Sequence, residues 1–309
     1  MKKQRESIGY RLLTGLSVAL LLVGVINGMP VRAEEVQESI TLSPPTKHLE
    51  LTAGEVFQDE FTIINYGDVA YDFTVYTGPY SVKDEMYTPD FINQPTNADA
   101  YRWVSFEKAL WHAEPKQTIH VPFTINVSKG ATAGGHYGVI FVETQPKEAQ
   151  STGVARKKRL ALLLYTTIKG PTETAGRVVA IDTPWLASVP PITSRTRVQN
   201  TGKTDFAAKT RFAVMDLFGN VKYQNEQEAY VLPSTTRAIE HSWDGATWLG
   251  VYKVHTETSV LGTLTQANTY VVVAPKWLLF LLALLLLIGL IHIMRRRNSG
   301  STTDLRAQR

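Results

Sequence analysis

From Ile40 to Ala274 apolar and polar residues alternate with period two, broken by turn residues at intervals of about ten, which is the pattern of an all-β protein. In FQDEFTIIN, Phe57, Phe61 and Ile63 share one face of a strand, and in YDFTVY so do Tyr71, Phe73 and Val75. The clearest strand is TIHVPFTINV. There Ile119, Val121, Phe123, Ile125 and Val127 point one way, and Thr118, His120, Pro122, Thr124 and Asn126 the other. Pro122 has no N–H to give to a ladder, so this strand is expected at an edge or with a local break. HYGVIFVET and RLALLLYTTIKG follow as two more strands. They are joined by KEAQSTGVARKK, a polar hairpin tip with a basic cluster at Arg156–Arg159. Such a cluster is ordinarily a solvated tip, and contact with an anionic wall polymer is the alternative.

The alternation gives way to continuous apolar runs near each end. Trp277 to Met294 is apolar or glycine apart from His292, and three arginines (295–297) follow at once. At 1.5 Å per residue this run crosses a hydrocarbon core of about 30 Å, and the arginines place residues 295–309 on the cytoplasmic side as a basic tail. The membrane helix is expected over 275–294. At the other end, MKKQRESIGYR, the apolar run Leu12–Ile26 and the small-residue site Val31-Arg32-Ala33 make a secretory signal over 1–33. A retained signal anchor is the rival reading. The bulk of the chain then lies outside the cell, with one span.

The exported part divides in two. Gly170-Pro171-Thr172-Glu173-Thr174 marks a boundary, with one sandwich over 40–170 and a second over 175–274. The two halves rhyme. Asn65-Tyr66-Gly67 and Asn200-Thr201-Gly202 each end a strand; Pro115 and Pro233 each precede a long one; and GGHYGVIFV and LGVYKVHTE each put glycine and tyrosine at a strand head. These correspondences in one order point to a duplicated module. The Asn-x-Gly sites are expected as tight turns with positive φ at glycine. A further hairpin is expected at Phe218-Gly219-Asn220.

One connection stands apart. Residues 77–102, TGPYSVKDEMYTPDFINQPTNADAYR, show no sustained period yet are rich in aromatic residues. Long irregular loops are uncommon and often functional. Tyr80, Tyr87, Phe91 and Tyr101 are therefore the candidate partner-binding residues. The alternative is a covering flap whose rings pack on the sandwich.

Charge changes meaning once the ends are set aside. The whole chain is +4, but residues 34–294 hold 22 basic and 26 acidic residues, a net of −4. The basic pI therefore belongs to the sorting signals and does not argue for nucleic acid. The chain has no cysteine, which excludes thiol catalysis and cysteine-bound zinc and leans toward a bacterial envelope without an oxidising periplasm. The seven histidines are scattered, with none at metal-ligand spacing, and His136 in GGHYG reads as a strand-start residue. HExxH, GxSxG and phosphate-cradling glycine loops do not occur. Asp84-Glu85 reads as a solvated pair. In WDGATW, one tryptophan is expected in the core beside a turn. No catalytic residue, metal or cofactor is implied.

The first half resembles the WxL-interacting proteins of Gram-positive bacteria. The resemblance is carried by SPPTKHLELTAGE, FTIINYGDVAYDFTVYTGPY, EMYTPDF, YRWVSF and GGHYGVIFVET ending in LLLYTTIKG. It implies an immunoglobulin-like domain of the peptidoglycan-binding type, a second β domain and a C-terminal membrane helix with a basic tail. It also implies peptidoglycan, another wall polymer or a WxL-type surface protein as partner. The second half is shorter than the family's host-binding domain. The expectation is an all-β chain of two tandem immunoglobulin-like sandwiches and one membrane helix. Such a chain would be a non-catalytic surface protein that binds a wall polymer or envelope partner. The alternatives are an assembly factor that lends a sheet edge and, further off, a surface hydrolase.

Overall fold

A computed structural model describes residues 39–145 and 157–300. The signal (1–33), most of the 147–158 hairpin tip and the end of the basic tail (301–309) lie outside the described residues.

The first sandwich contains, in chain order, β1 (Ile40–Ser43), β2 (Thr46–Leu51), β3 (Val56–Asn65), β4 (Tyr71–Pro79), β5 (Ser81–Val82), β6 (Pro89–Asp90), β7 (Val104–Ser105), β8 (Leu110–Ala113), β9 (Thr118–Asn126), β10 (Gly134–Thr144) and β11 (Arg159–Ile168). One sheet runs β1-β3-β9-β7 and faces a second, β2-β11-β10-β4-β8, while β5 and β6 form a small ribbon. The alternation places the core. Phe61, Ile63, Phe73, Val121 and Phe123 are all but fully buried between the sheets, each contributing about 1.5–3 kcal/mol of burial. Pro122 sits opposite Glu60 of β3, and β7 pairs with β9 only at residues 124 and 125. The proline therefore lies on an open margin, where a missing N–H costs nothing.

The second sandwich repeats the plan with β12 (Gly176–Asp182), β13 (Leu186–Ala187), β14 (Ile192–Asn200), β15 (Phe206–Met215), β16 (Val221–Val231), β17 (Thr236–Trp243), β18 (Gly250–Val260) and β19 (Thr263–Val273). Its sheets run β12-β14-β17 and β13-β19-β18-β15-β16. Apart from β7 and the β5–β6 ribbon, which have no counterpart, the match to the first is strand for strand. In each sandwich the opening strand is split between the two sheets: β1 and β12 pair antiparallel with β3 and β14, whereas β2 and β13 pair parallel with β11 and β19.

The duplicated motifs have physical reasons. Asn65 is fully buried; its amide donates to the Val69 and Glu114 carbonyls at 2.7 and 3.0 Å, and its oxygen accepts the Gly67 N–H at 3.0 Å. Asn200 does the same with Thr204 and Val231 at 2.9 and 2.7 Å and with Gly202 at 2.8 Å. Neither glycine has positive φ, which corrects the expected turn geometry. The asparagine side chain replaces a backbone partner, and at residue 202 glycine is required by close approach: a Cβ there would lie 2.6 Å from Ala175 N. The positive φ falls instead just after the prolines, at Lys116 (61°) and Ser234 (59°). These are type II turns closed by Gln117 N–H to Glu114 O and Thr235 N–H to Leu232 O. Glycine and tyrosine recur together because the Tyr137 and Tyr252 rings fold back over Gly135 and Gly250, leaving no room for a Cβ.

Residues 169–175 connect the sandwiches without slack. Gly202 N–H and Lys203 N–H donate to Ala175 O and Glu173 O. At the far end, Ala274 N–H still bonds Ala187 O, and the C-terminal helix (Lys276–Gly300) begins two residues later. Its segment Lys276–Met294, with mean hydropathy 2.8, is long and apolar enough to cross a membrane, and none of its apolar window is buried in the protein. Trp243 packs against the second core, whereas Trp248 is exposed.

Candidate binding cleft between the sandwiches

β10 is buried along nearly its whole length, on both faces. Ile140 and Val142 face the core between the sheets, and Val139 and Phe141 face outward. What covers the outward face is the long connection. Tyr80 is buried, its hydroxyl 3.2 Å from that of Tyr165. Phe91 is half-buried and meets Phe141 edge-on at 5.0 Å between ring centroids. A short 3-10 turn (Ala100–Trp103) then crosses β10 at Gly138 and sends Trp103 into the core. Tyr101 stays half-buried beside the Arg102 guanidinium.

The same connection grips the second sandwich. Tyr87, at φ 62°, is buried; its hydroxyl accepts Leu232 N–H at 2.7 Å and bonds the Thr235 hydroxyl at 2.6 Å. The Arg237 guanidinium lies 4.2 Å from the Tyr87 ring centroid. Glu85 pairs with Arg197 and stands 3.7 Å from Arg195, and its carbonyl accepts Ala238 N–H. The Arg197 guanidinium holds the Glu85 carboxyl below its usual range. Glu85 is thus an interdomain tie and not a solvated carboxylate as expected, because the second sandwich brings two arginines to it. Asp84 meanwhile caps its own turn through Thr88 N–H. A second tie runs from β10, where the Tyr137 hydroxyl donates to Asp205 at 2.7 Å. Burial pushes the Tyr137 phenol and the Asp205 carboxyl up in pKa, so the phenol remains a donor.

His136 anchors the last part of the loop. Its Nδ1 is 2.7 Å from the Asp99 carboxylate and its Nε2 is 2.9 Å from Thr132 O. Both partners accept, so the doubly protonated ring satisfies both. Burial alone would lower its pKa, but the Asp99 bond and the Thr132 carbonyl outweigh burial and hold it above the ordinary 6.5. The stabilisation is fully present below the unfolded-state value and is lost as pH rises through the raised folded-state value. Proteolysis within residues 92–102 is therefore expected to accelerate as pH climbs from about 6.5 into the alkaline range. His136→Gln, which cannot change charge, should flatten that profile; an unchanged profile in this variant would assign the effect elsewhere.

Between these ties lies a cleft of about 870 Å³. One wall is Ser81, Asn93, Gln94, Thr96 and Asn97 of the connection, and the other is Lys203, Ser234 and Thr235 of the second sandwich. Amide and hydroxyl groups, Lys203 and His136 share the lining with Val82, Pro95, Ala133, Leu232 and Pro233, on elements tied on both sides. Tyr80 is on its wall, while Tyr87, Phe91 and Tyr101 are not. The second-sandwich side of the ties is not legible in the sequence, since Arg197 and Arg237 sit in alternating strands where a charge reads as solvent-facing.

Other chemistry is sparse. No group of three or more His, Asp or Glu residues fit to hold a metal occurs among the described residues. In the basic hairpin, Lys157 pairs with Glu143 and Arg159 lies over the Phe141 ring.

No known family profile matches the chain, and no curated protein does. Solved structures do. The class 5 fimbriae chaperone CfaA is 10% identical with a TM-score of 0.39, the match covering 77% of this chain and 100% of that one. The CsuC-CsuE chaperone-tip adhesion subunit complex of Acinetobacter baumannii is 11% identical, with a TM-score of 0.38 and coverage of 75% and 98%. The Pseudomonas aeruginosa CupB2 chaperone is 10% identical, with a TM-score of 0.37 and coverage of 72% and 97%.

Proposed function

We propose that this chain is a non-catalytic, membrane-anchored protein of a Gram-positive envelope that binds a wall polymer in the cleft between its sandwiches. The observation that supports it most is the cleft itself. Asparagine, glutamine, serine and threonine side chains from both sandwiches converge on one space whose walls are held in place. Neutral donors and acceptors of this kind suit a glycan or its peptide stems, and fixed walls reduce the ordering cost of binding. The resemblance of residues 40–170 to the WxL-interacting proteins supports the same ligand class, with a WxL-type surface protein as the competing partner. Full-length protein in detergent should be retained by isolated cell wall. Thr96→Trp, at an exposed position on the cleft wall, should weaken retention about tenfold or more with melting unchanged. Equal retention of this variant would remove the cleft from the proposal.

A second reading, an assembly factor that lends a sheet edge, draws on β16. This strand is eleven residues long and ends its sheet, with β15 as its partner. A stable one-to-one complex with a single envelope protein, indifferent to Thr96→Trp, would favour it over graded binding to wall.

A further inference from the structure

Three loops of the second sandwich end level with the start of the membrane helix, and their tips are apolar and exposed. Strand register places them. Gly250 pairs with Val273, so continuing the ladder sets Trp248 beside Pro275. Ala187 pairs in parallel with Val273, which sets Val189 beside Pro275 as well. Met215 pairs with Lys253, and the turn at 216–220 carries Phe218 beyond that pair toward the same end as Gly250. Phe218 is 91% exposed, the most of any large hydrophobic among the described residues, and Val189, Leu217 and Trp248 are each above 60%. At the opposite end two turns carry exposed Thr201, Lys203 and Ser234, and the third carries Leu261 and Leu264, less exposed than the residues of the helix-side rim.

Several polar groups of two of these tips are bonded within the tip. Asp216 accepts Phe218 N–H and Asn220 N–H, both at 2.9 Å, and Lys222 stands 3.0 Å from its carboxylate. The Thr247 hydroxyl donates to Leu249 O at 2.7 Å, and Thr247 N–H donates to the Tyr252 hydroxyl at 3.0 Å. A turn with its donors bonded internally gives up less on leaving water. Tryptophan and phenylalanine at such a tip match the headgroup layer, where aromatic side chains concentrate. The helix enters the bilayer within two residues of β19, so the rim has no slack with which to stand clear of the surface.

We infer that this rim, through Val189, Leu217, Phe218 and Trp248, inserts into the headgroup layer of the bilayer that the C-terminal helix crosses. The second sandwich is then a seated base, and the binding cleft at its other end is held away from the lipid. The inference rests on the membrane-spanning reading of the helix. The absence of cysteine makes the test direct. Val189→Cys, Phe218→Cys and Trp248→Cys would be spin-labelled singly in the full chain and reconstituted in vesicles containing phosphatidylglycerol. Leu284→Cys in the helix serves as lipid reference, and Ile92→Cys, 84% exposed on the first sandwich, as water reference. Collisions with oxygen should exceed those with a water-soluble nickel chelate at 218 and 248, as at 284 and opposite to 92. Labels at 218 and 248 that behave like 92, while 284 reads lipid, would overturn the inference and leave the span standing. Shielding of 218 and 248 from both reagents would overturn it in favour of a protein contact. A water reading at 284 would overturn the span and the inference together. Where a label abolishes the β signature in circular dichroism, Leu217→Cys or Leu249→Cys replaces it.

Discussion

Gly138→Ala is expected to lift the covering connection off the first sandwich, with a loss of about 3 kcal/mol in stability and faster tryptic cleavage at Lys83 and Arg102. A Cβ at residue 138 would lie 2.6 Å from the backbone nitrogen of Tyr101 and 3.1 Å from its Cα. Neither the central strand nor the crossing turn can yield cheaply. β10 is paired on both sides, with β11 and β4, and the turn carries Ala100 and Trp103, both buried. Unseating it withdraws Trp103 from the core and loosens Tyr80, Phe91 and the Tyr87 grip on the second sandwich. The control is Gly130→Ala, whose Cβ would meet only the Ser128 hydroxyl at 3.9 Å. Cleavage of Gly138→Ala no faster than that of the control would mean that the loop is not held by this crossing.

Asn65→Ala and Asn200→Ala should each cost about 3 kcal/mol. Each removes an amide that satisfies two buried carbonyls and an oxygen that satisfies a glycine N–H, and unpaired buried groups cost about 1–3 kcal/mol apiece. The two losses should fall in different places, amide exchange rising first in the first sandwich for residue 65 and in the second for residue 200. Asn200→Asp sharpens the point. The acceptor for Gly202 N–H survives, but a carboxylate oxygen now faces the Thr204 and Val231 carbonyls that the amide had served. The new carboxyl will have a raised folded-state pKa. Stability of this variant is therefore greatest below the unfolded value of about 3.9 and falls as pH rises through the folded one. Urea unfolding at pH 4 and pH 7 measures this. Losses under about 0.5 kcal/mol in the alanine variants would show that the asparagines are replaceable by water.

Much of this architecture was legible in the residue pattern, because a sandwich with one core per domain must repeat every second residue. The cores, the open margin at Pro122 and the duplication of the module all followed from it. The duplication shows in Asn-x-Gly, proline and Gly-x-Tyr motifs, whose local geometry differs from the expected glycine turns. The asparagine works through its side chain, and the left-handed residue is the one after the proline. The order was right because the same backbone problems recur at the same places in both copies.

The long connection marks where such reading stops. Its aromatic residues were conspicuous, but a ring that packs on its own sheet and a ring that waits for a partner have the same composition. Periodicity identifies a face that is buried, not what buries it. Neighbouring residues along the chain settle the strands, turns and apolar helix, since those follow from spacing and local hydrogen bonding. The folded arrangement alone brings Glu85 to Arg197, Tyr87 to Leu232 and Tyr137 to Asp205 across separations of 68 to 145 residues. Chain closure over such distances leaves no local trace. The cleft, the interdomain ties and the apolar rim at the helix all belong to that second class, built from residues whose local context reads as ordinary surface.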